Sequence, residues 1–270
     1  MSLLQRLLRR LTLDRLGEDI YSGGSGDGGV TKNSRLFGGL VAAQATMAAQ
    51  LTVAEFPLHS LHAYFLRPGR PNLDIVYEVA RVKEGKNFVV RNVSARQNDE
   101  IIFQLQASFQ RLERGVDHQD PTPEMVDPEG LPNRDQLRGR ENWKAMPIDV
   151  RMATEITAVK LLPPDQQIYL KANGEMPTDP YLHLAMVVYA SDRSLLDTAW
   201  RPHAAKGQQI GASLDHSMWF HRQPVFNDWL LYDLHSPAAS AGRGLAFGAM
   251  YNTRGERIVT IAQEGVMRLR

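Results

Sequence analysis

The sequence predicts an α+β protein made of two tandem repeats, each a long buried helix wrapped by a curved antiparallel sheet. Two stretches, residues 36–53 and about 180–200, are almost wholly apolar over helical lengths, so each belongs inside a core. Each is followed by alternating runs divided by short turns, the pattern of hairpin strands. The segments after the two helices also match one another. His62-Ala63-Tyr64-Phe65-Leu66-Arg67 parallels His216-Ser217-Met218-Trp219-Phe220-His221, and Asp74-Ile75-Val76-Tyr77 parallels Trp229-Leu230-Leu231-Tyr232. Ile101-Ile102-Phe103-Gln104-Leu105-Gln106 falls on Ile258-Val259-Thr260-Ile261-Ala262-Gln263. Residues 1–115 form the first repeat, 116–141 a linker and 142–270 the second.

Taken in order, residues 1–11 space leucines helically between arginines, which predicts a short amphipathic helix docked on the body. The start is too short and too charged for a signal peptide or a membrane span, and Met267-Arg268-Leu269-Arg270 carries no peroxisomal or retention tripeptide. Residues 12–21 alternate as one strand. The run Gly23-Gly24-Ser25-Gly26-Asp27-Gly28-Gly29 lacks the Gly-Lys-Ser/Thr ending of a phosphate loop and reads as a mobile loop. After the first apolar helix come strands at 58–66, 73–82, 87–97 and 101–110. Prolines and charges then erase all periodicity through residue 141, the composition of a linker. In the second repeat, strands are expected at 155–162 and 167–172 before the helix, and at 209–222, 229–235, 242–251 and 257–267 after it.

Composition narrows the function. Lys and Arg number 31 against 30 Asp and Glu, so no overall field recruits nucleic acid or an anionic membrane. With no cysteine, the chain has no disulfide, thiolate metal ligand or thiol nucleophile, and it suits a reducing cytoplasm. The stretch from Ser213 to His221 mixes proton-exchanging groups with bulky apolar ones, a costly mixture unless the polar groups are paired or used. Asp192 and Gln263 are similarly polar residues in apolar surroundings. Taken alone, each has a plainer reading: Asp192 as a capping carboxylate, Ser213 and Gln263 as side chains satisfied by backbone. Asp215 and His216 read as structural. A relay through Ser217, His216 and Asp215 fails, because adjacent strand residues point to opposite faces.

Eight blocks carry a family resemblance: Leu36-Phe37-Gly38-Gly39, His62 through Gly69, Asn92 through Gln97, Ala107-Ser108-Phe109-Gln110, Ile148-Asp149-Val150-Arg151, Tyr189-Ala190-Ser191-Asp192, Leu214 through His221, and Gln263 through Arg268. In register along nearly the whole chain, they resemble the type II acyl-CoA thioesterases. The resemblance implies a double hotdog fold, hydrolysis of fatty acyl-CoA to free acid and CoA, no metal or cofactor, and a homodimer or homotetramer. It also implies that Asp192, Ser213 and Gln263 together orient a water molecule. Ser213 stands where the family more often has threonine; it keeps the hydroxyl but lacks the methyl that restricts the rotamer. Ser236-Pro237-Ala238-Ala239 is also less polar than the family's usual stretch.

For such a substrate, Arg67, Arg70, Lys83, Lys86 and Arg91 cluster around turns and are candidates for the CoA phosphates. Met218, Trp219 and Phe220 are candidates for lining an acyl tunnel. Backbone N–H groups at a helix N-terminus are expected to hold the oxyanion. Two alternatives stay open: an enoyl-CoA hydratase or dehydratase working through Asp215 and His216, and a non-catalytic acyl-CoA-binding protein.

Overall fold

The computed structural model describes residues 1–26, 35–155, 161–203 and 209–269. In the first repeat α1 (Leu3–Leu11) leads into a hairpin, β1 (Asp14–Gly17) and β2 (Ile20–Gly23). Then follow α2 (Gly38–Gln50), β3 (Leu58–Phe65), β4 (Ile75–Glu84), β5 (Phe88–Gln97) and β6 (Glu100–Gln110). A short helix, α3 (Arg134–Leu137), precedes the second repeat. That repeat comprises β7 (Ile148–Met152), β8 (Asp165–Ala172), α4 (Pro180–Ser191), α5 (Leu195–Trp200), β9 (Gln209–Ser213), β10 (Asp215–Phe220), β11 (Leu230–Ser240), β12 (Arg243–Tyr251) and β13 (Arg257–Leu269).

The strands join into one sheet of order β1-β2-β4-β5-β6-β3-β10-β13-β12-β11-β8-β7, with β9 pairing β13. The order reads the same from either end, and the halves meet where β3 runs antiparallel to β10, Ala63 opposite His216 and His62 opposite Ser217. The sheets of the two repeats thus join into one continuous sheet around a local twofold axis. No helix among the described residues is long and apolar enough to cross a membrane.

The two central helices pack against each other inside this sheet. Alanine and glycine make that possible: a Cβ on Gly39 would stand 2.6 Å from the carbonyl oxygen of Tyr189. Alanine-rich sequence favours the helix, and its small side chains allow close approach. Tyr77 on β4 and Tyr232 on β11 mark equivalent places. Both are fully buried, with hydroxyls donating to the side-chain oxygen of Gln44 and the backbone oxygen of Ser191. Gln44 also donates to the carbonyl oxygens of Arg10 and Gly24, tying α1 and the start of the glycine run onto α2.

Several expectations change. The single strand over 12–21 is a hairpin, turned at Asp19 with φ 55°. The rest of the glycine run, from Asp27, and most of the strand expected at 155–162 lie outside the described residues. The helix expected to reach Trp200 breaks after Ser191, with Ser194 at φ 73°, and the strand over 209–222 divides at Leu214. The stretch read as a linker is partly built into the body, with Asn133, Arg134 and Asp135 buried. The residue-for-residue match between repeats also slips by one in two places. His62 is exposed and His216 buried, and Gln106 is exposed while Gln263 is buried. Because side chains alternate, a one-residue slip exchanges the faces of the sheet.

Candidate active site

Three elements bring polar groups together at one end of the helix pair. Asp192 caps the C-terminus of α4, Ser213 ends β9 and Gln263 lies on the inner face of β13. β9 pairs with β13, Ser213 opposite Gly265, which brings the hydroxyl beside the amide. Asp192 Oδ1 accepts from Ser213 Oγ at 3.1 Å and from Gln263 Nε2 at 2.9 Å. Its Oδ2 accepts from the backbone N–H of Gly39 at 2.8 Å. The first N–H groups of a helix lack partners within it, and Asp192 takes up one of those of α2. Burial pushes the Asp192 carboxyl above the usual aspartate range, outweighing the three donors that favour its charged form. Gln263 Oε1 is buried with no partner among the described residues, an acceptor left over beside the carboxylate; of the three side chains, Asp192 and Ser213 line the cavity next to them and Gln263 stands behind.

Beside these groups opens a cavity of about 370 Å³ lined by Phe37, Val41, Phe65, Phe103, Ser213 and Leu214 among others. That volume suits a small-molecule site, and its walls are mainly apolar. Gly38 lines it too, and a Cβ there would meet Phe65 Cε1 at 2.8 Å and Asp192 Oδ2 at 3.0 Å. The backbone of α2 can thus approach a ligand beside the carboxylate. Arg67 and Arg35 also border the cavity. Arg35 escaped sequence reasoning; the only signal was a cation one residue before the Leu36-Phe37-Gly38-Gly39 block.

The other expected contacts fall elsewhere. Arg70 is not among the lining residues, and its backbone N–H donates to Gln97 Oε1. Lys83 and Lys86 sit at the β4–β5 turn, whereas the cavity meets β6 at Ile102 and Phe103 near its start. β5 separates those ends by ten residues, roughly 30 Å at strand rise. Arg91 is 1% exposed, and its guanidinium donates to Thr52 and Glu84. Met218 and Phe220 are buried inner residues of β10, outside the cavity lining. Trp219 points to the opposite face, where its ring meets His62 edge-on at 5.2 Å. Alternation along β10 explains all three.

Asp215 and His216 do not form a pair. Asp215 Oδ1 accepts from the backbone N–H of Glu264, while His216 Nε2 bonds Ser191 Oγ at 2.8 Å. Full burial brings the His216 imidazole down to about 4, so it is neutral at physiological pH. Ser217 Oγ bonds His62 on the outer face.

A buried carboxylate held by a hydroxyl, an amide and a helix N-terminus, beside an apolar cavity under a paired helix-and-sheet repeat, defines a hotdog-fold thioester hydrolase. Two family descriptions match the chain, "Acyl-CoA thioesterase" over residues 144–266 and "Acyl-CoA thioesterase N-terminal domain" over residues 28–110. Acyl-CoA thioesterase 2 of Haemophilus influenzae is 35% identical, with 98% of each chain covered. Acyl-coenzyme A thioesterase 8 of Mus musculus is 36% identical over 96% of this chain and 88% of that one. Among solved structures, acyl-CoA thioesterase II TesB2 from Mycobacterium marinum superposes with a TM-score of 0.83 at 36% identity, covering 98% of each chain. The chain belongs to the acyl-CoA thioesterase family.

Proposed function

We propose that the protein hydrolyses fatty acyl-CoA to free acid and CoA by attack of a water held between Asp192, Ser213 and Gln263. The observation that carries this reading is the convergence of those side chains on one buried carboxylate beside an apolar cavity. Asp192 is the one member of the set able to accept a proton near neutral pH, so it serves as general base. Ser213 Oγ and Gln263 Oε1 have lone pairs to accept from the water, which leaves an oxygen lone pair facing the thioester carbon. As the water oxygen bonds to that carbon, its proton passes to Ser213 Oγ, whose own proton passes to Asp192 Oδ1, and negative charge moves to the carbonyl oxygen. The N-terminus of α2, with the Gly38 N–H, is the donor for that charge. Collapse breaks the carbon–sulfur bond, and the CoA thiolate recovers the proton from Asp192. Arg67 and Arg35 at the rim suit the anionic CoA moiety.

The hydratase alternative loses support because Asp215 and His216 bond to different partners and neither lines the cavity. A thiol-release assay across saturated acyl-CoA lengths tests the proposal. Release of free thiol from at least one length is expected, and binding with no release would favour the non-catalytic alternative. The resemblance further implies a homodimer or homotetramer, and the lack of cysteine suits a cytoplasmic location; a one-chain molar mass by light scattering would remove the assembly. The division into repeats at 1–115 and 142–270 remains part of this reading.

A further inference from the structure

We infer that Asp135 and Arg193 form a latch by which the segment between the repeats sets the position of Asp192. Both act as positioning residues rather than catalytic ones. The inference rests on Asp192 being the catalytic base.

Asp135 lies on α3 and is fully buried, although its segment reads as a linker. Its carboxylate stands 3.6 Å from Arg193 Nη2 and 3.3 Å from Arg140 Nε. Arg193 directly follows Asp192, its side chain is only 10% exposed, and its backbone N–H closes the last turn of α4 onto Ala190. The Arg193 charge also opposes the upward push that burial gives the Tyr189 hydroxyl, and the Tyr189 ring meets Phe37 edge-on at 5.0 Å. Phe37 is the N-cap of α2 and a wall of the cavity. One arginine thus ties the interdomain segment to the end of the helix carrying the carboxylate.

The corner it holds needs holding. Ser194 adopts φ 73°, a left-handed conformation that a side chain makes unfavourable and that persists only when its surroundings enforce it. Gln166 Nε2 donates to the Ser194 carbonyl at 3.0 Å, and Arg134, next to Asp135, donates to the Ser194 hydroxyl. Arg134 and Arg193 repel each other enough to help bring the Arg134 guanidinium down to about 9, after the larger effect of burial. Without the Asp135 charge, Arg193 and Arg140 lose the anion they share, and the corner is free to relax away from the geometry that points Asp192 at Gln263.

A double-mutant cycle tests the latch, with Asp135→Asn, Arg193→Met and the combination measured for kcat, KM and Tm. Each single change is expected to lower kcat about tenfold with KM within about twofold, and the combination to be no worse than the poorer single. Effects that multiply on kcat, or single variants that keep full kcat, would overturn the latch. If Asp135→Asn alone does not fold, a folded double variant with kcat equal to that of Arg193→Met supports the coupling, and one with a further tenfold loss refutes it. Asp192→Asn runs alongside. Full activity there would remove the catalytic reading itself, whereas an inactive Asp192→Asn beside fully active latch variants would remove the latch alone.

Discussion

The two halves of the molecule place different side chains at the same position. Tyr77 and Tyr232 pair with Ala95 and Met250, so four residues back along β5 and β12 stand Arg91 and Ala246. Arg91 lies opposite Ala107 on β6, and Ala246 opposite Gln263 on β13. In the second half a small residue leaves room for the glutamine, which reaches Asp192 at the end of α4. In the first half the arginine fills the space, and its guanidinium reaches Thr52, just past the end of α2. The second half presents a carboxylate to the N-terminus of the facing helix, whereas the corresponding corner of the first carries Leu51, Thr52 and Val53. On the proposed reading, a repeated fold therefore carries one reaction centre. In one half the buried polar groups have acceptor capacity left for a ligand, and in the other they satisfy each other.

The largest expected difference between the halves comes from Asp192→Ala, which lowers kcat by about 10²–10⁴-fold while far-ultraviolet circular dichroism stays native. Retained turnover would move the chemistry elsewhere. Next is the pH response. The proposed base must be ionised, and burial raises the Asp192 pKa, so kcat/KM falls on acidification at a pH above that of an ordinary aspartate. Stability follows the opposite sign: with the folded pKa raised, the Asp192 contribution is fully present below the unfolded pKa and is lost as pH rises through the folded value. Gln263→Glu sets a second carboxylate 2.9 Å from the first and moves the acid limb of kcat/KM further upward. An unmoved limb would dissociate Gln263 from the base.

Arg91→Met tests the other half. It leaves kcat within about threefold but lowers unfolding free energy by roughly 1–3 kcal/mol, because Thr52 and its carbonyl lose their donors in a half-buried place. Loss of CoA affinity without loss of stability in urea melts would instead return Arg91 to the substrate. The smallest effect is that of Trp219→Ala, whose ring lies on the outer face; chain-length preference measured by thiol release stays within about twofold.

Sequence shows what composition and periodicity encode, and little of what depends on a one-residue register. The helix of Gly38–Gln50 was legible because nearly every side chain is small or apolar, and the strands because their turns fall at Glu84-Gly85-Lys86 and Asn98-Asp99-Glu100. The palindromic strand order follows from the repeat. The opposite facing of Gln106 and Gln263 was not legible, since both sit in similar alternating runs and only the pairing decides the face. Nothing in Arg91 itself separates a buried cation from a rim cation; the separation comes from the Thr52 side chain packed over it. The break after Asp192 carries no glycine or proline to announce it. The buried Asp135 lies in a stretch whose prolines and charges disguise its packing. For the candidate site, the residue types came from local polarity and family pattern, while the role of the α2 N-terminus required the other repeat to be in place.

A crystal structure of Asp192→Asn with a saturated acyl-CoA tests the central claim most directly. The account predicts the thioester carbon within about 3–3.5 Å of a solvent oxygen bonded to Ser213 and Gln263, its carbonyl oxygen at the Gly38 N–H, and the acyl chain in the cavity beside Phe65. A thioester resting on the outer face of the sheet, or against Arg91 in the first half, would contradict it.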